Sequence, residues 1–326
     1  MSSKSHDFDG FVGDFKELLI NFVQMKQSLG FDYTEEANAL KRFSRFTLNF
    51  DIDNHALTKE LVDAWTAKRP AERDVTWEHR INNLKQFAIF LTNLGYKAHI
   101  PVCKAKIDRN KYVPYIFTTE ELQRIFTQID SIEPYPRSNR YLVFPALYRI
   151  LYGCGLRISE ALALKLKDVD LGHGTVRIIG SKFDKDRFVP MSPSLTRHLQ
   201  EYFQRLPAVA TSGDYFFMKS DRTAFTSNTV YRHFRQVLWR SGISHGGKGR
   251  GPRLHDMRHT FSVHALNQMV RLGMDLYCAL PILSTYLGHA SVAATERYVR
   301  LTEEAYPGIL DIVSRTCAYV FPEVKI

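Results

Sequence analysis

The sequence predicts a mainly α protein of two domains, with a small β-sheet or hairpin in the second. Three observations carry that expectation. Apolar residues recur at helical spacing in four segments of residues 1–96. A cation-rich stretch with two prolines and no such period follows. Beyond it, one segment alternates with a period of two inside an otherwise helical region. At 326 residues the chain is long enough to fill two cores.

The first helix is expected in "FVGDFKELLINFVQMKQSLG", where Phe15, Leu18, Leu19, Phe22 and Val23 share a face and Gly30 offers a stop. "TEEANALKRFSRFTLNF" supplies Thr34 as a cap and an apolar stripe of Ala39, Leu40, Phe43 and Phe46. "LTKELVDAWTAKR" is a short third helix capped at Thr58, ahead of Pro70. "TWEHRINNLKQFAIFLTNLG" is a fourth, with Leu84, Phe87, Phe90 and Leu91 inward and Gly95 at its end. Four short helices make a small bundle over residues 1–96, and their aromatic stripes read as core. Residues 97–116 read as a linker and 117–326 as the second domain. Thr118 and Glu121 have capping-box spacing, and a Leu-, Phe- and Tyr-rich helix is expected from about Arg140 to Tyr152. "TVRIIGSKFDKDRFVPM" reads as two strands around a polar loop, and the chain reads as helical again after Pro193.

Composition excludes several classes. With 44% hydrophobic and 24% charged residues the chain should fold as a soluble globule. No apolar run approaches the roughly 20 residues that span a bilayer. The opening "MSSKSHDFDGF" lacks an apolar signal region. Cys103, Cys154, Cys278 and Cys317 are scattered with no C-x-x-C, as in a reduced cytoplasmic protein. No membrane partner is expected. The net charge is +10, and residues 113–326 hold most of it, with 27 Lys/Arg against 19 Asp/Glu. From Lys219 to Arg258 there are nine Lys/Arg and two acids, so a polyanionic partner is expected. In "TSNTVYRHFRQVLWRSG" a core face of Val230, Phe234, Val237 and Leu238 leaves Arg232 and Arg235 outward. Lys248, Arg250 and Arg253 extend the same basic run.

Four stretches carry chemistry. In "YGCGLRISEALALKLKDVDL", Gly153 and Gly155 break a helix, and Arg157 and Glu160 open the next. A guanidinium there either forks onto a phosphate or pairs with Glu160 at i,i+3. In "GSKFDKDRFVP", Lys182, Lys185 and Arg187 lie in or beside a loop, where they are either solvated charges or groove contacts; a lysine can also protonate a leaving oxygen. In "RLHDMRHTFSVHAL", His255 and Arg258 at i,i+3 can clamp an oxyanion. A rival takes His255 and His259 as a metal pair with His264 as third ligand. Against it, Asp256 stands where a zinc helix has Glu, and Arg258 would set a fixed cation beside the metal. No metal or other cofactor is expected. In "YLGHASVAATERYVR", His289 precedes Tyr298 by nine residues. A tyrosine hydroxyl attacks phosphorus when its proton is removed or its anion stabilised, and two Arg, two His and one Lys suit a transferring phosphoryl group without a metal.

The order of these pieces resembles the tyrosine recombinases, or phage integrases, over nearly the whole chain. "GLRISEAL" resembles that family's first arginine box, and "HDMRHTF" with "YLGHASVAATERYV" its second. The resemblance implies a helical core-binding domain that grips DNA and a mixed α+β catalytic domain. It implies that Arg157 and Arg258 clamp the scissile phosphate, Lys182 protonates the 5′ oxygen, His255 acts as acid/base and His289 hydrogen-bonds the phosphate. Tyr298 would attack to give a 3′-phosphotyrosyl link, with Glu160 as acidic supporter. The loop departs from the family's Gly-Lys-Gly, which keeps Lys185 in play beside Lys182. The partner implied is double-stranded DNA, with a tetramer on two sites associating through the C-terminal tail. A type IB topoisomerase-like nicking–closing enzyme and an inert DNA-binding relative are the alternatives.

Overall fold

The computed structural model describes residues 8–103, 113–180, 186–207, 209–244, 246 and 251–289, together with Ser291, Thr295 and Tyr298. The chain divides into two compact units, Met1–Tyr112 and Val113–Ile326. Lys182, Lys185, Lys248, Arg250 and the tail beyond residue 300 lie outside the described residues.

The first unit is a four-helix assembly: α1 (Lys16–Ser28), α2 (Thr34–Thr47), α3 (Lys59–Thr66) and α4 (Asp74–Asn93). The apolar stripes converge. Phe15, Leu19, Phe22, Leu40, Phe43, Leu84, Phe87 and Leu91 are buried together, and Phe15 meets Phe87 edge-on at 5.8 Å. Ala39, Phe46 and Phe90 sit half-buried at the margin. Thr58 caps α3 by accepting from the Leu61 N–H. At α2 the cap differs from expectation. Tyr33, with φ of 54°, is the N-cap, while Thr34 is the first helical residue and its hydroxyl donates to Asp32. The start of the expected linker is tied to this unit: Leu57 N–H donates to the Lys97 carbonyl and His99 N–H to the Leu57 carbonyl.

In the second unit, α5 (Thr119–Asp130) carries the full Thr118/Glu121 capping box. The residue just past the expected linker is anchored here, with Phe117 N–H donating to the Thr260 hydroxyl. Then come α6 (Arg140–Gly153), α7 (Ile158–Ala163) and an antiparallel sheet of β1 (Val169–Asp170), β2 (Thr175–Ile178) and β3 (Arg187–Pro190) in that order. Sequence reading missed β1, which is two residues long. Val176 pairs with Val189 and Ile178 with Arg187, so their side chains share the inward face of the sheet. Helices α8 (Pro193–Gln204), α9 (Ser227–Arg240), α10 (Asp256–Arg271) and α11 (Leu276–Leu287) complete the unit. Val230, Phe234, Val237 and Leu238 of α9 are buried, and Arg232 and Arg235 are exposed. Among the described residues no helix is long and apolar enough to cross a membrane.

Candidate active site

The site gathers at the start of α7, the inner face of β3, the first turn of α10 and the end of α11. Gly155 makes the first junction possible. Its φ is +58°, and a Cβ there would lie 2.5 Å from the Phe261 ring. The chain turns out of α6 and presents Arg157 as the N-cap of α7. One turn on, Glu160 folds back: its Oε2 accepts from the Arg157 main-chain N–H at 2.9 Å, and its Oε1 from the Arg157 guanidinium at 2.7 Å.

Glu160 also holds a second arginine. Arg187 donates to Oε1 at 3.1 Å and to Oε2 at 3.0 Å, while its Nε donates to the Tyr286 carbonyl at 3.0 Å. Here the structure departs from expectation. Arg187 was expected to reach outward with the loop; it lies in β3 on the inward face with Val189, and its neighbour Phe188 is the exposed one. A buried carboxylate attracts the donors it needs, and this one is otherwise costly. Burial pushes the Glu160 pKa up, but hydrogen bonds from Arg187 and the Arg157 N–H, with both charges, hold it below the usual carboxylate range.

Arg258 completes the group. It is 2% exposed, and it donates to the Gly155 carbonyl at 2.6 Å and the Leu287 carbonyl at 2.8 Å. Glu160 lies 4.0 Å away. Burial first, then Arg157, bring its pKa down to about 10, so it stays charged at neutrality. Three guanidiniums around one carboxylate leave a local excess of two positive charges, matched to a phosphodiester that gains charge in transit. Gly288 closes the ring. It caps α11 at φ +66°, and a Cβ there would lie 2.8 Å from the Arg187 guanidinium.

Tyr298 is 1% exposed and flanked by two histidines. Its hydroxyl lies 3.0 Å from His259 Nδ1, and the His289 ring stacks on it at 6.1 Å and 22°. His289 Nδ1 is 2.7 Å from the Thr295 hydroxyl. His255, exposed at the N-cap of α10, sets its ring edge-on to His259 at 4.7 Å. His264 points elsewhere, to the Tyr152 hydroxyl at 2.9 Å. The three histidines of the metal rival therefore do not converge, and no group of three or more His, Cys, Asp or Glu that could hold a metal exists among the described residues.

Of the expected site residues, Arg157, Glu160, Arg258, His255, His289 and Tyr298 come together, and Lys182 lies outside the described residues. Two were misjudged from sequence. Arg187's place was signalled by its i,i+2 spacing to Val189 across an alternating strand. From the sequence His259 reads only as a metal ligand, since nothing in spacing points it at a tyrosine 39 residues away. Arg253 is half-buried, and its main-chain N–H donates to Asp256 at the start of α10.

Comparison with known proteins places this architecture. Residues 116–305 match the model of the phage integrase family. The integrase/recombinase y4rB assigned in Sinorhizobium fredii is 32% identical over 297 residues, covering 88% of this chain and 93% of its own. The tyrosine recombinase XerD of Listeria monocytogenes is 24% identical, covering 90% and 95%. Among solved structures, the XerH site-specific recombinase bound to a palindromic difH substrate is similar in fold, with a TM-score of 0.62, 20% identity and coverage of 92% of this chain and 86% of that one. The Tn1549 transposon integrase in complex with a circular intermediate DNA gives a TM-score of 0.62 at 16% identity, covering 86% and 94%. The chain belongs to the phage integrase family, the tyrosine recombinases.

Proposed function

We propose that the chain cuts and rejoins duplex DNA at specific sites by strand exchange, with Tyr298 as nucleophile. The observation that carries this reading is the three-arginine group on Glu160 beside a buried tyrosine held between two histidines. Arg157, the most open of the three guanidiniums, meets the scissile phosphate first, and Arg258 adds its charge from below. Glu160 and Arg187 keep both arginines in place. Tyr298 attacks phosphorus to form a 3′-phosphotyrosyl bond while the 5′ oxygen leaves with a proton from Lys182. His255 serves proton transfer and His289 hydrogen-bonds the phosphate. The exposed Arg232 and Arg235 of α9, with Arg253, Lys185, Lys248 and Arg250, contact the DNA backbone. Family membership supports a tetramer on two DNA sites, joined through the C-terminal tail, acting in the cytoplasm.

The test is a suicide DNA substrate alongside a gel shift. Tyr298→Phe should bind DNA as the wild type does and form no covalent adduct, since only the hydroxyl is lost. An adduct on the Phe variant would remove Tyr298 as nucleophile. Cleavage by the wild type should also survive excess EDTA, because cationic side chains supply the charge that a metal would otherwise bring. Loss on chelation, restored by Mg²⁺ or Zn²⁺, would contradict that. Relaxation of a supercoiled plasmid with no exchange between two sites would move the reading to a topoisomerase.

A further inference from the structure

We infer that His259 is a catalytic residue of this chain, the group that takes the proton from Tyr298 as the tyrosine attacks. The inference rests on Tyr298 being the nucleophile. Of the described histidines, His259 is the one whose ring nitrogen meets the reacting oxygen: Nδ1 lies 3.0 Å from the hydroxyl, and the two residues are 4% and 1% exposed. A buried phenol needs a partner in any case. Two features make this partner more than structural. His259 follows Arg258 directly, so one turn of α10 carries both a phosphate-binding guanidinium and the nucleophile's acceptor. The imidazole also has a neighbour open to solvent: the exposed His255 ring stands at 4.7 Å and nearly perpendicular to it, and offers the proton a way out.

The step balances without a further reagent. As the Tyr298 oxygen bonds to phosphorus, its O–H bond breaks and the proton passes to His259 Nδ1, so the imidazole begins neutral with its proton on Nε2. The bond from phosphorus to the 5′ oxygen breaks, and that oxygen takes a proton from the general acid. Rejoining runs the same transfers in reverse. Among the described residues, the charged and titratable groups near His259 are Tyr298, with His289 behind it, and His255, Asp256 and Arg258 on or beside α10. Other elements bring Arg157, Glu160 and Arg187 around Arg258, Tyr152 against His264 and Tyr286 beside Phe261.

The experiment is single-turnover cleavage by full-length His259→Asn over a range of pH, with a thermal melt and gel shift to establish folding and binding. Asparagine places an acceptor oxygen near the Nδ1 position, so it keeps the hydrogen bond and cannot take the proton. Cleavage should fall roughly 10²–10⁴-fold. The decline of rate on the acid side should vanish, and the rate should instead rise steadily with pH as solvent hydroxide takes over the proton. A substrate with sulfur in place of the bridging 5′ oxygen should not rescue the variant, since sulfur eases departure and leaves the nucleophile's proton untouched. Wild-type rate, a surviving acid limb or rescue by sulfur would each overturn the assignment. Should the variant fail to fold, ¹⁵N-histidine spectra of the wild type decide. Nδ1 of His259 must be unprotonated at neutral pH and titrate with the kinetic acid limb; a mismatch overturns the inference. An adduct on Tyr298→Phe would instead remove the underlying reading.

Discussion

Glu160 accepts from two guanidiniums and one main-chain N–H, and a third guanidinium stands at 4.0 Å. Sequence spacing made one of these contacts legible, because residues three apart on a first helical turn face each other. It offered two readings of Arg157, phosphate fork or partner of Glu160. The structure shows the second contact, and that contact also fixes the group the first reading needs. The Arg187 contact was hidden because it spans 27 residues and depends on which face of β3 turns inward. The lysines remain to be separated by experiment. A lysine acid matters when the leaving oxygen is poor, and a bridging 5′ sulfur departs as a thiolate without a proton. Lys182→Ala should therefore cleave normal DNA about 10²–10⁴-fold more slowly and recover most of its rate on the 5′-thio substrate. Arg157→Ala and Arg258→Ala should not recover, since they bind non-bridging oxygens. Lys185→Ala should lose DNA affinity on both substrates. Rescue of Lys185→Ala in place of Lys182→Ala would shift the loop register by three residues.

Helices were the most legible elements, since a 3.6-residue apolar stripe and its caps are local signals, as at Thr58, Thr118 and the core face of α9. The two-residue β1 was not, because a strand that short has no period to read. Helix α9 also holds a group whose state depends on its packing against α6. His233 lies against Phe144 at 4.7 Å, and its Nδ1 is 3.0 Å from the Tyr148 hydroxyl, which itself donates to the Val230 carbonyl. A tyrosine that spends its proton on a carbonyl must accept from the ring, so His233 carries a proton on Nδ1. Burial, then the charges of Arg140 and Arg240, lower its pKa from 6.5 to about 4. Between those values the unfolded chain binds the extra proton. The stability linked to His233 is thus complete above pH 6.5 and is lost as pH falls toward 4, on the order of 3 kcal/mol in all. His233→Phe keeps the aromatic contact and the Tyr148–Val230 bond, and should lose less stability between pH 7 and pH 4 than the wild type. Urea melts at the two pH values measure the difference, and equal losses in the two proteins would rule out this role for His233.

Across the whole chain, the excess charge concentrated in residues 113–326 divides into two kinds once the fold is known. Arg157, Arg187 and Arg258 are gathered inward on Glu160. Arg232, Arg235 and Arg240 stay outward along α9, beside an exposed Trp239. Composition could count these cations and could not sort them, because the sorting depends on which strand face and which helix face turn inward. The outward group governs how binding depends on salt. Each phosphate neutralised releases condensed counterions, so log K falls with log salt at about 0.9 per phosphate contacted. If about six phosphates are neutralised, the slope should be near −5. Arg232→Ala with Arg235→Ala should make it shallower by about 2 and weaken binding to specific and unrelated duplexes alike. Arg187→Ala should leave the slope nearly unchanged while cleavage falls, since its guanidinium is spent on Glu160. Fluorescence anisotropy over a salt titration separates the two kinds. A slope that moves by about one with Arg187→Ala and stays fixed in the α9 double variant would invert the assignment of inner and outer arginines.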